Sequence, residues 1–161
     1  MLADIQLFRI DDRLIHGQVV IGWANFLNSR EIILCDDLVA QNVWEKELYL
    51  SSVPDYLSAS VVSTGELADH LNNDGVNFQK AIILVNSPFV IEKLLEKGAK
   101  IKKVNVGGIH FKEGRREFLP YLFLNEEEVK AFWRLIENGI YFYCQDVPSA
   151  RAIPLEKVLP K

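Results

Sequence analysis

The alternation of short apolar, strand-like runs with helix-like segments along the whole chain constrains the fold more than any other feature. The clearest run, Ala81–Val85, is continuously apolar, as in a strand that is buried on both faces of a sheet. The other strand-like runs are 5–8, Glu31–Cys35, 59–62, 101–106 and 140–144. Because such alternation is typical of βα units, the sequence predicts an α/β fold with a mostly parallel, doubly wound sheet and helices on both faces.

Prolines identify the segments that are predicted to lie outside the centre of the sheet. The apolar run 118–124 contains Pro120, which lacks a backbone N–H, so this run is predicted to form an edge strand or a bulged strand. The tail 148–161 is rich in proline and is predicted to wrap the surface with at most a short helix. No linker-like segment interrupts the 161 residues, and we expect a single domain over residues 1–161.

Capping residues indicate where helices begin. Asn125 precedes three glutamates, which favour the first turn of a helix. Ser63 and Glu66 indicate a second helix start in the same way. Residues 38–51 are predicted to form one helix, with Asp37 as its capping residue.

The composition excludes several classes of protein. With a net charge of −4 and a pI near 5.4, the chain has no global positive field that would hold nucleic acid. Its apolar runs are shorter than the roughly 20 residues that span a bilayer, and its N-terminus does not resemble a signal peptide, so we expect a cytoplasmic protein. Cys35 and Cys144 lie in apolar runs and are predicted to be buried, free thiols. The histidines and cysteines lack the ligand spacing of a zinc site, and neither a metal nor another cofactor is predicted.

The run 9–18 between the first predicted strand and the first predicted helix concentrates the charged residues that are most suited to chemistry. It reads Arg-Ile-Asp-Asp-Arg-Leu-Ile-His-Gly-Gln. Open α/β sheets bind ligands at the carboxyl ends of their strands, and the free amides of a helix start favour an anion. This run therefore predicts an anion site, although a solvated cluster of ion pairs would explain the same residues.

His16 is the candidate nucleophile of this site. A neutral imidazole can attack a phosphoryl group and form a phosphoramidate that readily passes the phosphoryl group on. A carboxylate that is hydrogen-bonded to one ring nitrogen would fix the tautomer, and Asp11 and Asp12 are both candidates for that role.

Arg13, three residues before His16, is the candidate for neutralising the phosphoryl oxygens. Arg9 is a second candidate, and the backbone amides of Gly17 and Gln18 would add donors at the helix start.

Two features near residue 108 leave alternatives open. Gly107 and Gly108 could supply backbone amides to an anion, although a tight turn is the simpler interpretation, since the pair lacks the spacing of a dinucleotide or Walker motif. His110 would approach the anion site if the strands at 5–8 and 101–106 end side by side; otherwise it is an exposed residue.

Three segments resemble one known family. The run 11–19 with Trp23 closely resembles the active-site segment of IIB subunits in the mannose/fructose/sorbose family of the bacterial sugar phosphotransferase system. Residues 104–109, followed by 113–116, are similar to the Asn-x-Gly-Gly segment of that family, and 145–148 to its closing Gln-Val-Pro turn. The length and the alternating pattern also fit.

The resemblance implies a protein-phosphohistidine–sugar phosphotransferase. His16 would accept a phosphoryl group from a phosphohistidine of a IIA protein and pass it to a sugar that the membrane subunits IIC and IID import. Arg13 would hold the phosphate, and Asp11 would orient the imidazole. The protein would be cytoplasmic and peripherally associated with the transporter, with homo-oligomerisation left open.

The closing turn departs from the family pattern. Asp146 is inserted between Gln145 and Val147, and Cys144 stands where family members often carry arginine. This leaves a regulatory phosphocarrier without sugar transport as an alternative. A small-molecule or nucleotide-binding α/β domain is a further alternative, which is disfavoured because no phosphate-loop motif accompanies the sheet.

Overall fold

The elements alternate along the chain. A computed structural model describes residues 4–15, 18–74 and 76–161, with only the backbone of Gln18. The strands are β1 (Ile5–Ile10), β2 (Glu31–Cys35), β3 (Ser58–Val62), β4 (Ala81–Val85), β5 (Lys103–Val106), β6 (Arg116–Leu119), β7 (Leu122–Leu124), β8 (Tyr141–Cys144) and β9 (Ile153–Pro154). The helices are α1 (Gln18–Leu27), α2 (Asp37–Gln41), α3 (Val43–Ser51), α4 (Thr64–Asn72), α5 (Pro88–Glu96) and α6 (Glu126–Glu137), followed by a 3₁₀ turn at Leu155–Lys157.

A seven-stranded sheet forms the centre of the molecule, in the order β3-β2-β4-β1-β5-β8-β9. All pairs are parallel except β8 with β9, which confirms the predicted mostly parallel sheet. All five residues of β4 are buried, as a strand covered on both faces requires. The connection after β1 leads past β4 to β2, and the connection after β4 leads past β1 to β5, so the topological switch point lies between the carboxyl ends of β1 and β4.

Each face of the sheet packs against its own set of helices. One apolar cluster joins the sheet to α1, α2 and α3 and includes the buried Trp23 and Val39. The other joins it to α4, α5 and α6 and includes Leu67, Ile91 and Phe132. The predicted helices on both faces are therefore confirmed. None of the helices in the described part of the chain is both long and apolar enough to span a membrane.

The prediction of an edge or bulged strand at 118–124 has to be corrected. This run is divided between β6 and β7, which form a separate antiparallel hairpin. Pro120 and Tyr121 occupy the turn, where the missing N–H of proline costs no ladder hydrogen bond. The edge next to β8 is formed instead by β9 from the C-terminal tail.

The tail is more integrated than a surface wrap. Its Leu155 and Leu159 are buried in the core, and the carbonyl of Pro160 accepts a hydrogen bond of 2.8 Å from the Trp133 indole. The 3₁₀ turn is its only helical element within the described residues, in agreement with the prediction of at most a short helix.

Helix starts show which side chains satisfy the free amides. Ser63 and Asn125 each form the capping box that the sequence indicates. The predicted helix 38–51 is interrupted at Asn42, whose extended backbone ends α2 and whose side chain accepts a hydrogen bond from the first turn of α3. Asp36, rather than Asp37, caps α2, because the Asp37 carboxylate accepts hydrogen bonds from Thr64 of the neighbouring helix.

Candidate functional site

Three neighbouring parallel strands, β1, β5 and β8, have their carboxyl ends close together. Backbone hydrogen bonds continue their pairing just beyond the strands: Gly107 N–H donates to the Ile10 carbonyl at 2.8 Å and Gln145 N–H to the Val106 carbonyl at 3.1 Å. Asp12 N–H likewise donates to the Gly108 carbonyl at 2.9 Å. The loops that follow the three strands are therefore held side by side, and the side chains of Arg9 and Arg13 reach residues 145–146.

Arg9 is a fully buried cation that ties these loops together. Its Nη1 donates to the side chain of Asn105 and, at 2.9 Å, to the Gln145 carbonyl. Its Nη2 donates to Asp11 Oδ2 and to the Asp146 carbonyl, both at 3.0 Å. Burial lowers the pKa of Arg9, and the neighbouring carboxylates act in the opposite direction. Every described contact of Arg9 is thus structural, and its predicted help in phosphate binding stays a prediction.

Asp11 is the buried carboxylate between the two arginines. Its Oδ1 accepts hydrogen bonds from the backbone N–H and the Nε of Arg13, each at 3.0 Å. Its Oδ2 accepts from Arg13 Nη2 at 2.9 Å and from Arg9. Burial alone would raise the pKa of Asp11, but the hydrogen bonds from Arg13 and the two positive charges outweigh it and hold the pKa below its usual value. Asp11 therefore stays ionised and fixes the position of Arg13.

Arg13 is the cation that this cluster leaves open to solvent. Its side chain is 29% exposed, and its Nη2 contacts both Asp11 and, at 3.2 Å, Asp146 Oδ1. The hydrogen bond with Asp11 raises its pKa. The turn that carries Arg13 is anchored by the buried side chains of Leu14 and Ile15, although Leu14 has a positive φ of 53° that is unusual for a branched residue.

Gly107 and Gly108 lie where the two arginines pass close to the backbone. A Cβ atom at Gly107 would overlap the Arg9 guanidinium, and one at Gly108 would lie 3.0 Å from Arg13 Nη2. Neither glycine has a positive φ. The space taken by the arginines, rather than a tight turn, explains this pair.

A second charged cluster lies beside the first. Asp12 accepts hydrogen bonds from the backbone N–H of His110 at 2.8 Å and contacts the His110 Nδ1. Arg115 donates to the His110 carbonyl at 2.7 Å and pairs with the buried Glu128 at 2.6 Å. His110 thus does approach the first cluster, because β1 and β5 end side by side. Sequence reasoning missed Arg115 and Glu128, since the position of Glu128 was already explained by helix capping.

An open cleft of about 630 Å³ lies against both clusters. Arg13 lines it together with Asp12, His110, Lys112 and Arg115. No group of three or more potential metal ligands occurs among the residues that the structure describes. Chemically, this edge of the sheet offers a positioned, half-exposed guanidinium to an anion. His16 and Gly17, the predicted nucleophile and helix start, lie outside the described residues, as does the Gln18 side chain.

The two cysteines do not contribute to this site. Cys35 and Cys144 are free and buried, as predicted. Burial raises the pKa of each thiol to about 12, so neither is a reactive thiolate at neutral pH.

Comparison with known proteins gives one consistent result. Residues 5–161 match the family model described as the sorbose subfamily IIB component of the PTS, the phosphotransferase system. The fructose-specific EIIB component of Bacillus subtilis is 35% identical, over 92% of this chain and 91% of that protein. The mannose-specific EIIAB component of Escherichia coli K12 is 32% identical over 98% of this chain, which spans only 49% of that protein.

The fold comparison agrees with the sequence comparison. The crystal structure of the IIBSor domain of the Klebsiella pneumoniae sorbose permease matches with a TM-score of 0.86 at 27% identity, over 95% of this chain and 94% of that one. A second solved structure, described as a phosphoenolpyruvate-dependent phosphotransferase system, matches with a TM-score of 0.85 at 34% identity, over 96% of each chain.

Proposed function

The chain belongs to the sorbose subfamily of PTS IIB components, and we propose that it carries a phosphoryl group on His16 between a IIA protein and a sugar. The observation that carries the proposal is the geometry around Arg13. This guanidinium is held by the buried Asp11 at the carboxyl end of β1, opens onto a cleft, and lies three residues before His16 in the chain. A positioned, half-exposed cation at a strand end is what a transient phosphoryl group requires.

Five residues of the run 9–18 support His16 in this proposal. Arg13 contacts the phosphoryl oxygens, and the backbone amides of Gly17 and Gln18 add donors. Asp11 positions Arg13 through its described hydrogen bonds, and we retain its proposed second role as the partner of the His16 imidazole. Arg9 keeps Asp11 charged and in place, and adds a positive charge behind the site.

The proposed reaction has two phosphoryl transfers. In the first, a ring nitrogen of His16 forms an N–P bond while the N–P bond of the phosphohistidine in the donor breaks, and the electron pair of the broken bond stays on the donor imidazole. In the second, a sugar hydroxyl oxygen forms an O–P bond, the N–P bond of His16 breaks with its electron pair returning to the imidazole, and the hydroxyl proton passes to water or a base.

The proposed partners are a IIA phosphodonor and the membrane subunits IIC and IID. The name EIIAB of the mannose-specific relative, of which this chain matches about half, supports the IIA partner. We further propose that the protein works in the cytoplasm at the surface of the membrane transporter.

Phosphorylation by a IIA donor tests the proposal directly. The protein is incubated with a ³²P-labelled, phosphorylated IIA protein, and the label is mapped by peptide mass spectrometry. We expect an acid-labile, base-stable phosphate on His16 that is absent from His16→Ala and present in the control His70→Ala, because His70 lies in α4, far along the chain from the site. Absence of transfer from every IIA donor tested would refute the proposal.

A second step separates transport from regulation. Membranes that contain the IIC and IID subunits are added together with candidate sugars. Loss of the label to a sugar supports the transport function, whereas a label that stays on the protein with every sugar favours the regulatory alternative.

A further inference from the structure

Asp146 holds an unusual position for a carboxylate beside a phosphate site. Its backbone carbonyl accepts hydrogen bonds from Arg9 Nη2 and from the Trp23 indole N–H, both at 3.0 Å. Its side chain places Oδ1 at 3.2 Å from Arg13 Nη2 and 3.6 Å from Arg9 Nη2. The backbone contacts fix the residue, so its carboxylate is directed at both arginines.

The charges of this cluster balance. Among the described residues, Arg9 and Arg13 are the cations of the cluster, and Asp11 and Asp146 are the carboxylates within 4.0 Å of them. Without the Asp146 carboxylate, the same cluster would carry one net positive charge. A phosphoryl group, with a charge between −1.5 and −2 by analogy with phosphorylated side chains, is therefore attracted less strongly than two arginines would imply.

Exposure distinguishes the two carboxylates. The Asp11 side chain is only 1% exposed and lies behind Arg13. The Asp146 side chain is 28% exposed and that of Arg13 is 29% exposed, and Asp146 Oδ1 lies 3.2 Å from Arg13 Nη2, so this contact is partly open to solvent. A phosphoryl oxygen that binds Arg13 Nη2 would therefore lie near the Asp146 carboxylate, and like charges at such distances repel.

We propose that Asp146 positions Arg13 and offsets its charge, so that the phosphoryl group is held weakly on this chain and is passed on readily. The inference rests on the proposed function for its transfer step, in which the N–P bond of His16 forms as the donor N–P bond breaks. It also predicts anion affinity, which is independent of that function. Asp146 is thus a positioning residue that lowers the stability of the phosphorylated protein.

The proposal predicts a gain, which loss of structure would not produce. A neighbouring charge commonly shifts an ionisation equilibrium by about 1 to 3 pKa units, and partial exposure favours the low end of that range. Asp146→Asn removes the charge with little change in shape. We expect it to raise the ratio of phosphorylated to unphosphorylated protein, at equilibrium with a IIA donor, about tenfold.

The experiment compares wild type, Asp146→Asn and the charge-retaining Asp146→Glu by two measurements. The first is the equilibrium phosphorylation ratio with a phosphorylated IIA protein. The second is the affinity of the unphosphorylated protein for inorganic phosphate, measured by ³¹P NMR titration. Asp146→Asn is expected to show the higher phosphorylation ratio and to bind phosphate more tightly, whereas Asp146→Glu stays close to wild type.

The two measurements test the proposed function and the role of Asp146 separately. If no IIA donor phosphorylates the wild type, the proposed function is refuted, but the phosphate titration still tests the role of Asp146. Phosphate affinity of Asp146→Asn that equals or falls below that of wild type overturns the inference. Thermal unfolding monitors the fold, and Asp146→Ser serves as a second neutral variant if Asp146→Asn does not fold.

Discussion

Two arginine–carboxylate clusters lie side by side at the carboxyl edge of the sheet, and they differ in what they leave open. Arg115 and Glu128, whose side chains are only 11% and 3% exposed, join the loop before β6 to helix α6. In the first cluster, Arg13 keeps 29% of its side chain exposed although Asp11 and Asp146 both contact it. The number of charges is similar; the exposure of one guanidinium separates a structural cluster from a candidate phosphate site.

The clusters also differ in how far their members lie apart in the chain. Arg115 and Glu128 are 13 residues apart. Arg9 and Asp146 are 137 residues apart and meet only because β8 lies next to β5, which lies next to β1. The first cluster therefore depends on the whole sheet, and its buried member Arg9 is the residue on which its geometry depends most.

Replacing Arg9 should produce the largest loss of stability. Arg9→Met removes the buried cation and leaves the carbonyls of Gln145 and Asp146 without this donor. Breaking a buried ion pair costs about 3 to 5 kcal/mol of unfolding free energy. Urea denaturation followed by circular dichroism measures this loss. A loss below about 1 kcal/mol, as for an exposed pair, would contradict the structural role of Arg9.

Replacing Arg13 should mainly slow phosphoryl transfer, whereas replacing Arg115 should mainly lower the free energy of unfolding. Arg13→Ala is expected to fold like wild type and to slow phosphoryl transfer from a IIA donor by about 10² to 10³, since it removes a positioned donor to the transferring group. Arg115→Met should instead lower stability, because it leaves the carboxylate of the buried Glu128 unpaired, while its effect on transfer is smaller. Rapid-quench transfer assays and urea denaturation of both variants measure the contrast. Wild-type transfer by Arg13→Ala would show that its assigned role is wrong.

Local sequence patterns are sufficient to predict the central strands of the sheet but not its edge strand. Continuous apolar runs such as Ala81–Val85 identify central strands because a strand that is buried on both faces consists of apolar residues only. The apolar run 118–124 predicts a strand, but its composition does not reveal which strand it pairs with. The pairing partner is decided by tertiary contacts. In this fold β6 and β7 pair with each other, and β9 from the tail forms the edge strand of the sheet.

In the candidate site, too, the sequence identifies the residues but not all of their contacts. The run 9–18 contains the charged residues of the site, and His110 comes close because β1 and β5 end side by side, the condition that the sequence indicates. The contacts of Arg9 with Gln145 and Asp146 could not be foreseen, because they depend on the strand order. His16 and Gly17 remain predictions from the sequence, outside the described residues.

Gly107 gives the smallest of the expected effects and the most local test of the first cluster. A Cβ atom there would overlap the guanidinium of Arg9, whose Nη1 and Nη2 are each held by two hydrogen bonds and cannot move away at low cost. Gly107→Ala should therefore lower the unfolding free energy by about 1 to 3 kcal/mol, the usual cost of overpacking. Gly22→Ala in helix α1 is the matched control, because nothing lies within 4 Å of its added Cβ. It should raise the unfolding free energy by about 0.5 to 1 kcal/mol through helix propensity. Chemical denaturation of both variants measures the difference, and equal stability of the two would contradict the close passage of Arg9 over Gly107.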